Sequence, residues 1–169
     1  MPVIVFASSK GGAGKTTACV VLACELARQG QAKNIGVSLI DADPNQHSAA
    51  WAKQEATPSN IRLFEGVNES NILDVIEQAQ QQTPFVLVDL EGVASSAVIG
   101  AVSRADLVII PCQPSQNDAK EAAKTIKTIN AIYLFRCCLR ALALRLSPRQ
   151  AKPLPPSLTG QGWIYSNAR

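Results

Sequence analysis

The chain has 169 residues, 47% of them hydrophobic and 17% charged, and carries a net charge of +3. That length suits one domain with a substantial core, and the balance excludes both an intrinsically disordered chain and a disulfide-stapled mini-protein. The charge is uneven: residues 1–135 hold 10 Lys and Arg against all 13 acids, whereas residues 136–169 hold 6 basic residues and no acid.

Strands and helices alternate from the start. Val3–Ala7 is a short apolar run of the kind buried on both faces of a sheet, and Thr16–Gln29 reads as a helix closed by Gly30. Ile35–Ile40 is the next strand, stopped by Asp41-Ala42-Asp43-Pro44, because proline cannot donate to a ladder. A helix over Ser48–Glu55, a strand at Ile61–Phe64 and a helix over Glu69–Gln81 follow, the last with Ile72, Val75, Ile76 and Ala79 on one face. Phe85–Asp89 and Leu107–Pro111 repeat the buried-strand pattern. Asn117 or Asp118 then caps a helix that runs to at least Leu134, with Glu121 near its positive end. Strands interleaved with crossover helices predict an α/β fold, a doubly wound and mostly parallel sheet with helices on both faces.

Nothing in the chain approaches the roughly 18 apolar residues of a membrane helix, and Pro2–Ala7 lacks the flank and length of a signal peptide. A cytoplasmic protein without a membrane partner is expected. Five cysteines without framework spacing make Cys19 and Cys24 small buried hydrophobes, and the adjacent Cys137 and Cys138 lack the geometry of a metal-binding or redox pair. His47, the only histidine, has no nucleophile nearby in sequence and reads as a turn residue. Trp51 and Phe64 read as packing residues.

Between the first strand and first helix lies Ser9-Lys10-Gly11-Gly12-Ala13-Gly14-Lys15-Thr16-Thr17. Such a loop suits a nucleotide phosphate chain: glycines let backbone N–H groups approach the anion, and the helix N-terminus adds partial positive charge. Lys15 supplies a full charge at the β- and γ-phosphates, and the Thr16 hydroxyl is a magnesium ligand. Only the first glycine of G-x-x-x-x-G-K-[ST] is replaced, by Ser9. Phe85–Asp89 is a hydrophobic strand ending in an acid, the Walker B arrangement, in which Asp89 holds Mg²⁺ through a water.

With Lys10 ahead of the glycines, the loop resembles the deviant Walker A signature, K-G-G-x-G-K-[ST], of the ParA/MinD family of P-loop ATPases. The resemblance covers roughly residues 1–134. It implies ATP and Mg²⁺ as cofactors, and a nucleotide-sandwich homodimer in which Lys10 reaches the partner's phosphates. Asp41-Ala42-Asp43-Pro44 looks like the family's D-x-D-P motif, in which Asp43 positions the attacking water and Asp41 supports the magnesium shell. Lys10, Lys15 and Asp43 are then the catalytic residues; Lys10 and Gly11–Thr17 bind the nucleotide; Thr16, Asp41 and Asp89 serve the metal. Glu91-Gly92 falls where the family has a switch loop. Ala105–Asp118 resembles the strand and interface loop of short plasmid-partition members, and Ser48 and Trp51 also look like that subgroup. The implied function is segregation of plasmids or chromosomes, with non-specific DNA and a centromere-binding adaptor as partners and the nucleoid as a second address.

Past residue 135 the resemblance fades. Four of the ten prolines fall in Pro148–Pro156. Residues 136–169 are therefore expected to form a loosely ordered basic tail, from a truncated or out-of-frame continuation, although Leu139–Leu146 weakly mimics a further strand. As a nucleic-acid arm the tail has phosphate-seeking arginines at 136, 140, 145 and 149, but helical geometry puts them on no single stripe. The alternative reading is a truncated nucleotide-binding interaction protein that does not hydrolyse ATP and interferes with full-length partners. A related metal-cluster carrier would need a C-x-x-C motif, which the sequence lacks.

Overall fold

The computed structural model of the chain describes residues 1–92 and 95–146, the last twelve by backbone alone. Its strands are β1 (Val3–Phe6), β2 (Val37–Ala42), β3 (Ile61–Phe64), β4 (Phe85–Leu90) and β5 (Leu107–Ile109), and its helices α1 (Lys15–Gly30), α2 (His47–Ala52), α3 (Ile72–Gln82), α4 (Ser96–Arg104) and α5 (Gln116–Leu146). The strands form one parallel sheet in the order β3-β2-β4-β1-β5.

Period-two alternation sends each central strand's side chains to two separate cores. Val3, Val5, Ile40, Ala42, Val86, Val88 and Leu90 meet α3, α4 and α5 through Ile72, Ile76, Val98, Val102 and Ile129. Phe6, Val37, Leu39 and Leu87 point the other way, onto Cys19, Ala23 and Ala27 of α1 and the flank of Trp51. β2 carries two polar side chains, Ser38 and Asp41; the Ser38 hydroxyl accepts from Thr83 Oγ1 at 2.8 Å. The start of β1 is clamped to the start of β5, since Val3 N donates to Asp106 Oδ2 (2.8 Å) and Asp106 N to Val3 O (2.9 Å). Because the chain moves outward to β2 and β3, returns to β4 and then crosses β1 to β5, the ends of β1, β4 and β2 open onto one crevice, the usual ligand position of such sheets.

Several boundaries differ from the sequence reading for local reasons. Gly30 does not close α1 by a left-handed turn: it stays helical, and the chain continues through a 3-10 turn at Gln31–Lys33 to Asn34, which takes the left-handed conformation (φ 53°). Gly30 is required by close approach instead, because a Cβ there would lie 2.6 Å from Ile35 O. α3 starts three residues later than its apolar spacing indicated, since Asn68 and Asn71 fold the preceding segment into side-chain-capped turns. α4 was not foreseen. Its Ala97, Val98, Ala101 and Val102 are all buried at helical spacing, a signal obscured by β-branched residues and by Gly100, whose missing side chain lets Ile72 approach. α5 continues as helix through 135–146, so Leu139–Leu146 is not a strand. Residues 147–169, the rest of the expected tail, lie outside the described residues.

Candidate functional site

The glycine-rich loop leaves the end of β1 and turns into α1 through two residues with positive φ, Gly12 (73°) and Gly14 (91°). A side chain at either would be strained, which accounts for glycine at both. A Cβ built at Gly11, Gly12 or Gly14 would meet no atom within 4 Å, so the loop is open beside each of these glycines. Gly14 is the residue before α1, and Ala18 N bonds back to Gly14 O at 2.9 Å. Lys15 and Thr16 therefore occupy the first turn, among helix N–H groups that have no intrahelical acceptor. Ala13 packs inward, while Lys15 and Thr16 are half-buried and Thr17 is exposed.

The carboxylates come from the neighbouring strand ends. Asp41 of β2 and Asp89 of β4 are register partners, and Asp89 is also opposite Phe6, the last residue of β1. Both acids are fully buried. Asp41 is satisfied: its Oδ1 accepts Asp43 N (3.0 Å) and its Oδ2 accepts Ala49 N (2.7 Å), tying the D-x-D-P turn to the first turn of α2. Asp89 has neither oxygen in a hydrogen bond. Burial pushes its pKa up to about 6; Thr16 and Ser48 lie close enough to temper that rise without reaching hydrogen-bond geometry, and the charge of Asp41 adds to it. Asp43 is partly exposed beyond β2, with Oδ1 accepting Asn45 N (2.8 Å) and Asn45 Nδ2 (2.9 Å). Gln46, in left-handed conformation, donates through Nε2 to Asp43 O (2.8 Å) and accepts Gly66 N (3.3 Å), so this turn is also tied to the loop after β3.

A third wall comes from α5. Ser9 N donates to Thr125 Oγ1 (3.1 Å), and Ser9 Oγ donates to Glu121 Oε2 (2.9 Å). Lys10 forms an ion pair with Asp118, whose side chain is 3% exposed. Gln113 Nε2 reaches Gly12 O at 3.5 Å. The sequence reading took Asp118 and Glu121 as helix-start acids, Asp118 also as the last residue of the interface-like loop, and did not link either to Ser9 or Lys10. Their contact with the loop spans more than 100 residues, and only the placement of α5 against that loop reveals it. Sequence reasoning thus assembled Gly11–Thr17, Asp41, Asp43 and Asp89 into one site, and missed the side chains that hold Ser9 and Lys10.

The remaining candidates lie as follows. His47 is exposed at the start of α2, Trp51 is partly buried against the α1 core, and Phe64 flanks the opposite one. Cys19 is fully buried and its thiol pKa is pushed well up by desolvation, which leaves it unreactive; Cys24 is half-buried and Cys112 exposed. Glu91 is exposed beside Gly92. Among the described residues no helix is long and apolar enough to cross a membrane.

The arrangement has known relatives. The family model described as VirC1 protein matches residues 1–143. Protein ParA of Rhizobium radiobacter is 46% identical over 129 residues, which cover 76% of this chain and 56% of the relative. Among solved structures, a Cyanothece McdA variant in complex with ATP superposes with a TM-score of 0.63 at 19% identity, over 80% of this chain and 65% of that one. The septum site-determining protein MinD of Pyrococcus horikoshii OT3, complexed with Mg-ADP, gives 0.59 at 18% identity, over 77% and 65%. These two establish the fold, a P-loop sheet of the ParA/MinD type. The chain spans little more than half the length of the curated ParA it matches. With its loop, carboxylates and sheet order in place, the chain belongs to the VirC1 protein family, within the ParA/MinD group.

Proposed function

We propose that the protein binds and hydrolyses ATP with Mg²⁺ and acts as a ParA-like partition protein, through nucleotide-dependent dimerisation and association with DNA. The observation that carries the reading is the juxtaposition of an open glycine cradle with a buried, unpartnered carboxylate, Asp89, one strand away. A buried carboxylate without a hydrogen bond is costly, and a cation is the partner that repays it. The ATP and Mg-ADP complexes of two relatives of the same fold support the same ligand class.

Gly11–Thr17 hold the phosphates through backbone N–H groups, and Lys15 sets its charge against the β- and γ-phosphates. Thr16 and Asp89 would hold Mg²⁺, which when bound neutralises charge on the phosphates. Asp41 supports that shell from behind, by fixing the turn that presents Asp43. Asp43, the partly exposed acid of the turn, orients the attacking water. Lys10 is the residue that reaches a second copy's phosphates. The partner classes are a second copy of the chain, non-specific DNA and a centromere-binding adaptor; the location is cytoplasmic, on the nucleoid when DNA is bound.

Binding of fluorescent ATP with Mg²⁺ to the full chain tests the site. Lys15→Ala should weaken affinity at least tenfold, and unchanged affinity overturns the assignment. Asp43→Ala should keep binding and lose phosphate release in the presence of DNA. Wild-type binding without any turnover would favour the alternative of a non-hydrolysing interaction protein.

A further inference from the structure

The two residues that open the loop are both held by α5, in different ways. Ser9 is held by hydrogen bonds: its N–H to Thr125 Oγ1, its hydroxyl to the Glu121 carboxylate, and Thr125 Oγ1 to Ser9 Oγ at 3.2 Å, with Thr125 fully buried. The Lys10 side chain is held by a hydrogen-bonded ion pair, from its Nζ to Asp118 Oδ1. Asp118 has a second task. Its backbone N–H donates to Ser115 Oγ (3.1 Å), its Oδ1 accepts the Ser115 hydroxyl (2.8 Å), and its Oδ2 faces Gln113 N at 3.4 Å, a reciprocal cap on the start of α5. Hydrogen bonds from Lys10 and then Ser115 hold the Asp118 carboxyl below the usual carboxylate range.

We propose that Asp118 is an intramolecular competitor for Lys10: it parks the lysine against its own α5, so Lys10 becomes available to a second copy's phosphates only when this pair opens. The inference rests on the reading of Lys10 given above. Its physical basis is a contrast of charge. Lys10 is 43% exposed and Asp118 only 3%, so water screens the lysine end of the pair, while a phosphate chain offers several negative charges where Asp118 offers one. The pair therefore biases Lys10 without locking it. Opening it also leaves the α5 cap with an unpaired acid near the positive helix end, where a negative charge is favourable, so release does not unravel the helix. Ser9 stays tethered throughout and keeps the loop in register.

Sedimentation of the full chain with a non-hydrolysable ATP analogue and Mg²⁺ decides the matter. Asp118→Asn keeps an oxygen for Ser115 but removes the charge that holds the lysine, and it should lower the protein concentration for half-dimerisation by at least about threefold. Lys10 also lies within the field of Glu121, so a Glu121→Gln change combined with Asp118→Asn should give at least as large a gain. Ser115→Ala, which removes the cap and leaves the ion pair, should give none. Lys10→Ala should lose analogue-dependent dimerisation, and adding Asp118→Asn to it should restore nothing. If Lys10→Ala fails to dimerise but Asp118→Asn, with an unchanged melting temperature, dimerises no more readily than wild type, the competitor is refuted and the sandwich stands. If Lys10→Ala dimerises like wild type, the role of Lys10 in the sandwich falls, and the competitor with it. A chain that stays monomeric in wild-type and Asp118→Asn forms alike also overturns the proposal.

Discussion

Asp41 and Asp89 sit side by side in the sheet, register partners at adjacent strand ends and equally buried. Asp41 has a backbone N–H on each oxygen, whereas Asp89 has nothing on either. Similar positions thus carry opposite energetics: one acid holds the fold together, and the other stores an unfavourable burial that a ligand can relieve. Their shared place at a strand end, which is what the sequence displays, does not tell them apart.

The sharpest way to break this contrast is to remove Asp41. Asp41→Ala leaves Ala49 N buried and Asp43 N partly buried without acceptors, at up to about 1–3 kcal/mol each, and takes a negative charge from the start of α2. A loss of roughly 3 kcal/mol corresponds to about 10 °C in melting temperature for a domain of this size. A change below about 3 °C in a thermal melt of the nucleotide-free protein would show that Asp41 is not structural.

Asp89→Asn should act in the opposite direction, by a smaller amount. The folded state holds the Asp89 proton more tightly than the unfolded chain, whose pKa is near 3.8, so wild-type stability falls as pH rises from about 4 to about 6 and the penalty is complete above that. About two pK units correspond to at most about 3 kcal/mol, less where neighbouring groups relax. The nucleotide-free Asn variant should melt several degrees higher at pH 7.5 and show a flatter stability profile between pH 4 and 6, while losing magnesium-dependent tightening of ATP. A variant that melts lower at pH 7.5 would mean that Asp89 is paired after all.

Much of this frame was legible in the residues. Short apolar runs marked β1, β2 and β4, because a strand buried on both faces leaves little room for polar side chains, while the partly buried edge strands β3 and β5 showed only shorter runs. The loop was legible because closely approaching phosphates require glycines in sequence, and the following helix start requires nothing distant. What escaped detection was long-range. α4 hid behind Ser, Val and Gly residues whose helical periodicity is enforced by packing on Ile72. The anchoring of Ser9 and Lys10 by Glu121, Thr125 and Asp118 depends on α5 lying against the loop after β1, which no local propensity encodes. The division of labour between Asp41 and Asp89 was likewise invisible, since it turns on whether a backbone N–H happens to point at each carboxylate.

Ser48 offers the finest test, because it lies between the two acids in function. Its hydroxyl is fully buried without a hydrogen bond, on the first turn of α2 that Asp41 caps, yet near enough to Asp89 to lower that residue's pKa. If Ser48 belongs with Asp89, Ser48→Ala removes an unsatisfied group along with a small packing volume. The two effects nearly cancel, within about 1 kcal/mol or about 3 °C in the nucleotide-free melt. The Asp89 proton should then be held to a higher pH than in wild type, moving the end of the falling-stability window upward from about 6, because a group that favours the carboxylate form has been lost. If Ser48 belongs with Asp41 instead, the same substitution should loosen α2, lower the melting temperature by more than about 5 °C and leave the pH window where it was.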